Sequence, residues 1–120
     1  MVVYSATKHI DGQGRSLGGA ILSNNEDYIE DTVAPFLRQT GPCLSPFNAW
    51  VFLKGLETLS LRMKAHSANA LGLARWLAEH PAVERVNYAG LESHPQHELA
   101  KRQQSDFGGV LSFVVKGGQP

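Results

Sequence analysis

Hydrophobic positions along this chain change their period several times, and each change marks an element. Val2-Val3-Tyr4 and Leu17 to Leu22 (LGGAIL) are short apolar runs separated by the glycine-rich IDGQGR, a pattern that predicts strand, loop, strand. From Ile29 the spacing becomes helical, with Ile29, Val33, Phe36 and Leu37 on one face. Asn25 is placed to cap this helix, Glu26 and Asp27 suit its positive end, and Gly41-Pro42 stops it. Pro35 lacks the N–H that an interior helical position donates, so a kink or a shortening is expected there.

Ser45-Pro46 is a second start signal: serine caps orphan amides, and proline has none to satisfy at the first helical position. Ala49, Phe52, Leu53, Leu56, Leu59, Met63, Ala70, Leu73, Ala74 and Leu77 then keep helical spacing from Phe47 to about Glu79, before His80-Pro81 ends the run. At ~1.5 Å per residue such a helix is roughly 50 Å long, more than a small domain is wide, and it predicts a connector between two bodies. Gly55 and Gly72 are where it is expected to bend or split. Beyond Pro81, Val83 to Tyr88 alternates as a half-buried strand, His94 to Gln104 is a helix opened by Pro95, and Val110 to Val115 returns to strand. The class is α/β. One helix and two strands are too few to cover both faces of a sheet, so both ends of the chain look cut.

Composition narrows the partners. The 120 residues carry eleven Lys+Arg and eleven Asp+Glu, a formal net charge of +0, which gives no electrostatic footprint for nucleic acid or an anionic membrane. No window reaches the ~18 apolar residues of a spanning helix. Cys43 is the sole cysteine and has no partner for an intramolecular disulfide, so a reducing cytoplasm is expected, with the thiol buried and inert. Small-molecule and protein partners remain.

The densest chemistry lies in YSATKHIDGQGR. In an extended segment side chains alternate sides, so Ser5 and Thr7 are expected to project together and Lys8 to diverge. Two hydroxyls on one side suit a phosphate, and a neighbouring lysine suits Schiff-base chemistry with an aldehyde at the far end of a small ring, a combination that describes pyridoxal phosphate (PLP). His9 is expected to be a hydrogen-bonded structural residue, and Arg15 to contact the cofactor pocket, a second subunit or solvent. His94 and His97 lack a third metal ligand and are expected to be solvated or capping, whereas Trp50 and Trp76 are expected to pack in the core, with a face of Phe47, Trp50 and Phe52 toward another subunit as the alternative.

YSATKHIDGQGRSLGGAIL resembles the cofactor-lysine segment of the Cys/Met-metabolism family of PLP enzymes. GPCLSPFNAWVFLKGLETLSLRMKAHSANA is similar to the family's next block, and VNYAGLESHPQHELAKRQQSDFGGVLSF to its entry into a C-terminal domain, with Ala89 where many relatives have proline. The resemblance implies an α/β fragment of a fold-type I PLP-dependent transferase. Residues 1–45 would end the large cofactor domain, 46–80 form the long interdomain helix, and 81–120 begin the C-terminal domain. It implies Lys8 as the cofactor-bearing catalytic base, Ser5 and Thr7 as phosphate ligands, and no metal. DGQGR is most like the branch that exchanges succinate for sulfide on O-succinylhomoserine in methionine biosynthesis, although synthase and γ-lyase branches would share the same residues. A cytoplasmic homotetramer acting on an O-acylhomoserine and sulfide is the expectation. The stacking aromatic, the pyridine-nitrogen carboxylate and the substrate arginine of the family do not occur in the chain, so no turnover is expected of it alone, and a non-catalytic, self-associating remnant is the alternative.

Overall fold

The computed structural model describes residues 1–117. Two compact units divide at Ser60/Leu61. In the first, strand β1 (Val2–Ser5) pairs antiparallel with β2 (Gly19–Leu22), from Val2 opposite Leu22 to Ser5 opposite Gly19. The apolar runs therefore form a hairpin whose connection is the DGQGR loop.

Helix α1 (Glu26–Tyr28) starts where the side chain of Asn25 accepts the Tyr28 N–H at 3.0 Å, and it continues through a π-helical turn, Ile29–Val33, into α2 (Ala34–Thr40). The wide turn is the answer to Pro35. In an α-helix the proline ring would press on the carbonyl four residues back, whereas here the Ala34 N–H reaches five residues back to Ile29. The helical path bulges instead of ending, and Gly41, at φ 85°, closes it.

Helix α3 spans Pro46–Glu79 without a break, capped by Ser45, whose hydroxyl accepts the Asn48 N–H at 3.1 Å. Neither glycine splits it. Gly55 is buried, and a Cβ on it would run into the carbonyl of Ile10, so this glycine admits the loop backbone against the helix. Gly72 has open space around its missing Cβ.

The second unit pairs β3 (Val83–Asn87) antiparallel with β4 (Ser112–Val115), with a bulge between Val83 and Arg85, and carries α4 (His97–Gln103) between them. Its core is Ala70, Ala74 and Tyr88, with Leu71, Val86, Leu91, Phe107 and Leu111 packed around. The Tyr88 hydroxyl donates to the Gly108 carbonyl at 2.8 Å, tying β3 to the loop before β4. Burial, reinforced by the charge of Asp106, raises its pKa above the usual tyrosine value.

Two expectations are corrected. Trp50 and Trp76 are 55% and 58% exposed, beside Phe47 and His80 respectively, because α3 turns its small residues Ala70 and Ala74 to the core of its second half. Cys43 is an exposed free thiol, since it lies in the loop that passes over the surface between α2 and α3.

The two glycines of α3 should respond in opposite ways to alanine. Gly55→Ala is expected to cost about 1–3 kcal/mol in denaturant unfolding, because the Ile10 backbone must shift. Gly72→Ala, exposed and unobstructed, is expected to gain roughly 0.5–1 kcal/mol.

Candidate functional site

Strand β1 ends at Ser5, and the chain turns at once. The Lys8 N–H donates to the Ser5 carbonyl at 3.2 Å, the Asp11 N–H to Ala6 at 3.0 Å, and the Gly12 N–H to the Lys8 carbonyl at 2.7 Å. Lys8 is thus held through both of its backbone groups while its side chain is exposed. Gly12 and Gly14, at φ 71° and 69°, supply the left-handed conformations that let the loop reverse.

Thr7 lies in the turn, not on the strand, so strand alternation does not set its relation to Ser5. Its Oγ1 donates to the Gly18 carbonyl at 3.2 Å and accepts the Gly18 N–H at 3.0 Å, closing the neck of the hairpin. Gly18 also receives the Thr7 backbone N–H at 3.2 Å. Ser5 is exposed at the strand end. His9 is half-buried and interacts with its surroundings.

The interior of the loop is organised by Asp11, 1% exposed, which composition and motif reasoning passed over. One carboxylate oxygen accepts the backbone N–H groups of Arg15 at 2.6 Å and Ser16 at 3.3 Å; the other accepts Arg15 Nε at 2.8 Å. Arg15 Nη2 adds a bond to the Asp11 carbonyl at 3.2 Å. Burial opposes ionisation of this carboxyl, but the two backbone N–H bonds and the guanidinium outweigh it and hold the pKa below its ordinary value. An aspartate followed by G-x-G is the turn chemistry that signals such a clamp.

Helix α3 supports the loop along one face. Asn48 Nδ2 donates to the Leu17 carbonyl at 3.2 Å, the Phe52 ring lies where a side chain on Gly18 would sit, and Gly55 receives Ile10. These positions are four and three apart, a single stripe of the helix.

His94 and His97 play structural parts: His94 Nδ1 accepts the Gln96 N–H at 3.2 Å, and His97 Nδ1 bonds the Ala89 carbonyl at 2.8 Å. Among the described residues no three His, Cys, Asp or Glu side chains gather as metal ligands, and no helix is long and apolar enough to cross a membrane.

Because the folded Asp11 carboxyl titrates below 3.8, its stabilisation is complete above that pH and is lost as pH falls through the folded value. Asp11→Asn is therefore expected to lower the unfolding midpoint at neutral pH and to flatten the acid limb of a stability profile. An unchanged acid limb would mean that the clamp does not support the fold.

The family model described as Cys/Met metabolism PLP-dependent enzyme matches residues 1–120. The chain is 65% identical over 119 residues to an O-succinylhomoserine sulfhydrylase of Pseudomonas aeruginosa, covering 99% of the chain and 29% of that protein. It is 46% identical over 119 residues to a probable cystathionine gamma-synthase of Herpetosiphon aurantiacus, covering 98% and 37%. A crystal structure of cystathionine gamma synthase from Xanthomonas oryzae pv. oryzae, in complex with aminoacrylate and cysteine, superposes with TM-score 0.93 at 37% identity over 98% of this chain and 30% of that one. The chain therefore spans under a third of the length of two of these relatives. With the family model matched over its whole length and its α/β elements matching those of a solved cystathionine gamma synthase, the chain belongs to the PLP-dependent enzymes of Cys/Met metabolism.

Proposed function

We propose that this chain is the cofactor-lysine segment of an enzyme that replaces the succinate of O-succinylhomoserine with sulfide, releasing succinate and homocysteine. The observation that carries this reading is the Lys8 turn: a primary amine on a backbone pinned on both sides, with the side chain itself exposed. The 65% identity to a sulfhydrylase supports the choice of branch. PLP, when bound, supplies the electron sink for a carbanion at the substrate Cα.

The residues present fit that cofactor. Lys8 Nζ would hold its carbonyl carbon as nucleophile and, once released by substrate, would serve as the base that moves the Cα and Cβ protons. The Ser5 hydroxyl, exposed at the end of β1, donates to the phosphate. The Thr7 hydroxyl turns its proton from Gly18 to the phosphate. The bond it leaves is 3.2 Å long, and the Gly18 carbonyl keeps the Thr7 backbone N–H. In this reading residues 1–45 end the cofactor domain, 46–80 form the connecting helix and 81–120 open the next domain, within a cytoplasmic homotetramer.

A second reading takes cysteine as the nucleophile, favoured by the likeness to a synthase solved with cysteine. Steady-state assay of the complete protein with O-succinylhomoserine separates the two: sulfide is expected to react and cysteine to be poor, and the reverse would overturn the sulfhydrylase assignment. Borohydride reduction in the presence of PLP, followed by peptide mapping, is expected to label Lys8, and label on other lysines would remove it from the site. Lys8→Ala should cost at least about 10²-fold in turnover. Ser5→Ala should weaken cofactor affinity about 10-fold or more through loss of a bond to a charged group.

A further inference from the structure

Arg15 has no part in the chemistry above, yet it is the most rigidly held cation of the loop. Two of its five N–H groups are committed: Nε to the buried Asp11 carboxylate and one Nη2 hydrogen to the Asp11 carbonyl. Both lie on the same edge of the guanidinium. The outer edge, both Nη1 hydrogens and the second Nη2 hydrogen, forms a fork with the spacing of a carboxylate. The Arg15 side chain is 40% exposed, whereas that of Asp11 is fully buried. The partner of the inner edge is thus sealed in the fold, while the Arg15 side chain itself reaches solvent.

This fork is also tied to Lys8. The Arg15 N–H and guanidinium are fastened to Asp11, and the next residue, Gly12, donates to the Lys8 carbonyl at 2.7 Å. Lys8 and Arg15 stand at the two ends of one pinned turn. The backbone N–H bonds from Arg15 and Ser16 keep the Asp11 carboxylate charged and in place, so the guanidinium is oriented before any ligand arrives, and little rotamer freedom is left to lose on binding.

We propose that Arg15 binds the distal carboxylate of the succinyl group and so makes the enzyme select a dicarboxylic acyl ester over an acetyl one. The inference rests on the reading of the site given above, because it needs an O-acylhomoserine as substrate. Succinyl and acetyl esters share the amino acid and the reacting Cγ–O bond; they differ in the terminal carboxylate that only the succinyl ester carries. A fixed, open guanidinium fork is matched to that difference. Arg15 acts as a specificity residue that touches the leaving group, while Asp11 positions it.

The test compares kcat/KM for O-succinylhomoserine and O-acetylhomoserine, with sulfide, in the complete protein and in Arg15→Gln and Arg15→Lys. The wild type is expected to prefer the succinyl ester. Arg15→Gln should lose about 10- to 100-fold on that ester, chiefly in KM, and change little on the acetyl one. Arg15→Lys, which keeps a cation but not the fork, should fall between. Thermal-shift titration with succinate and with acetate gives a readout independent of turnover: succinate is expected to stabilise the wild type at lower concentration than acetate, and Arg15→Gln to erase the difference. Equal losses on both esters would make Arg15 a structural residue and overturn the proposal, as would unchanged selectivity. A wild type that turns over neither ester with sulfide would instead overturn the sulfhydrylase reading itself, and the proposal with it.

Discussion

The contact between Gly55 and the Ile10 carbonyl is the constraint on which the first unit depends. A side chain at residue 55 would hold the loop off the helix, and Thr7 and Lys8 lie on that loop. Asn48 and Phe52 extend this contact along one stripe of α3, so the helix serves as a rail against which the hairpin neck at Gly18 and the loop at Ile10 are both set. Close backbone approach substitutes here for side-chain burial. The buried apolar residues of this unit are few, Ala6, Val51 and Phe52, and the precision of the turn comes from hydrogen bonds and steric fit more than from a large core.

Within the loop, Asp11 performs the complementary task. A buried carboxylate is tolerated only when its charge is met, and here two main-chain N–H groups and a guanidinium meet it within five residues of chain. The result is a loop rich in glycine that is nonetheless fixed. Glycines at φ near +70° supply the path, and the charge network selects one conformation among those the glycines allow. A lysine that must present its amine in one direction needs a backbone of this kind.

Elements with a local cause were legible from residue order. Asn25 and Ser45 as caps and Gly41 as a stop depend on neighbours a few positions away, and each occurs where spacing predicts it, as do the strands themselves. Pro35 was legible as a disturbance, though its outcome was a π turn and not a helix end, because the Ala34 N–H reaches back to the Ile29 carbonyl and the helical path widens there. Exposure of Trp50, Trp76 and Cys43 was not legible: helical spacing tells which residues share a face, not which face finds a partner.

The sequence by itself determined the elements and the glycine-rich loop between the first two strands, since these follow from propensity, capping and the fixed conformations of glycine and proline. Only the tertiary structure decided that Gly55 is a seat for the loop and that Thr7 closes on Gly18. The physical reason is range. A cap or a turn is settled by atoms a few residues apart, whereas a missing Cβ acquires meaning only from the backbone that folding brings against it from more than forty residues away along the chain.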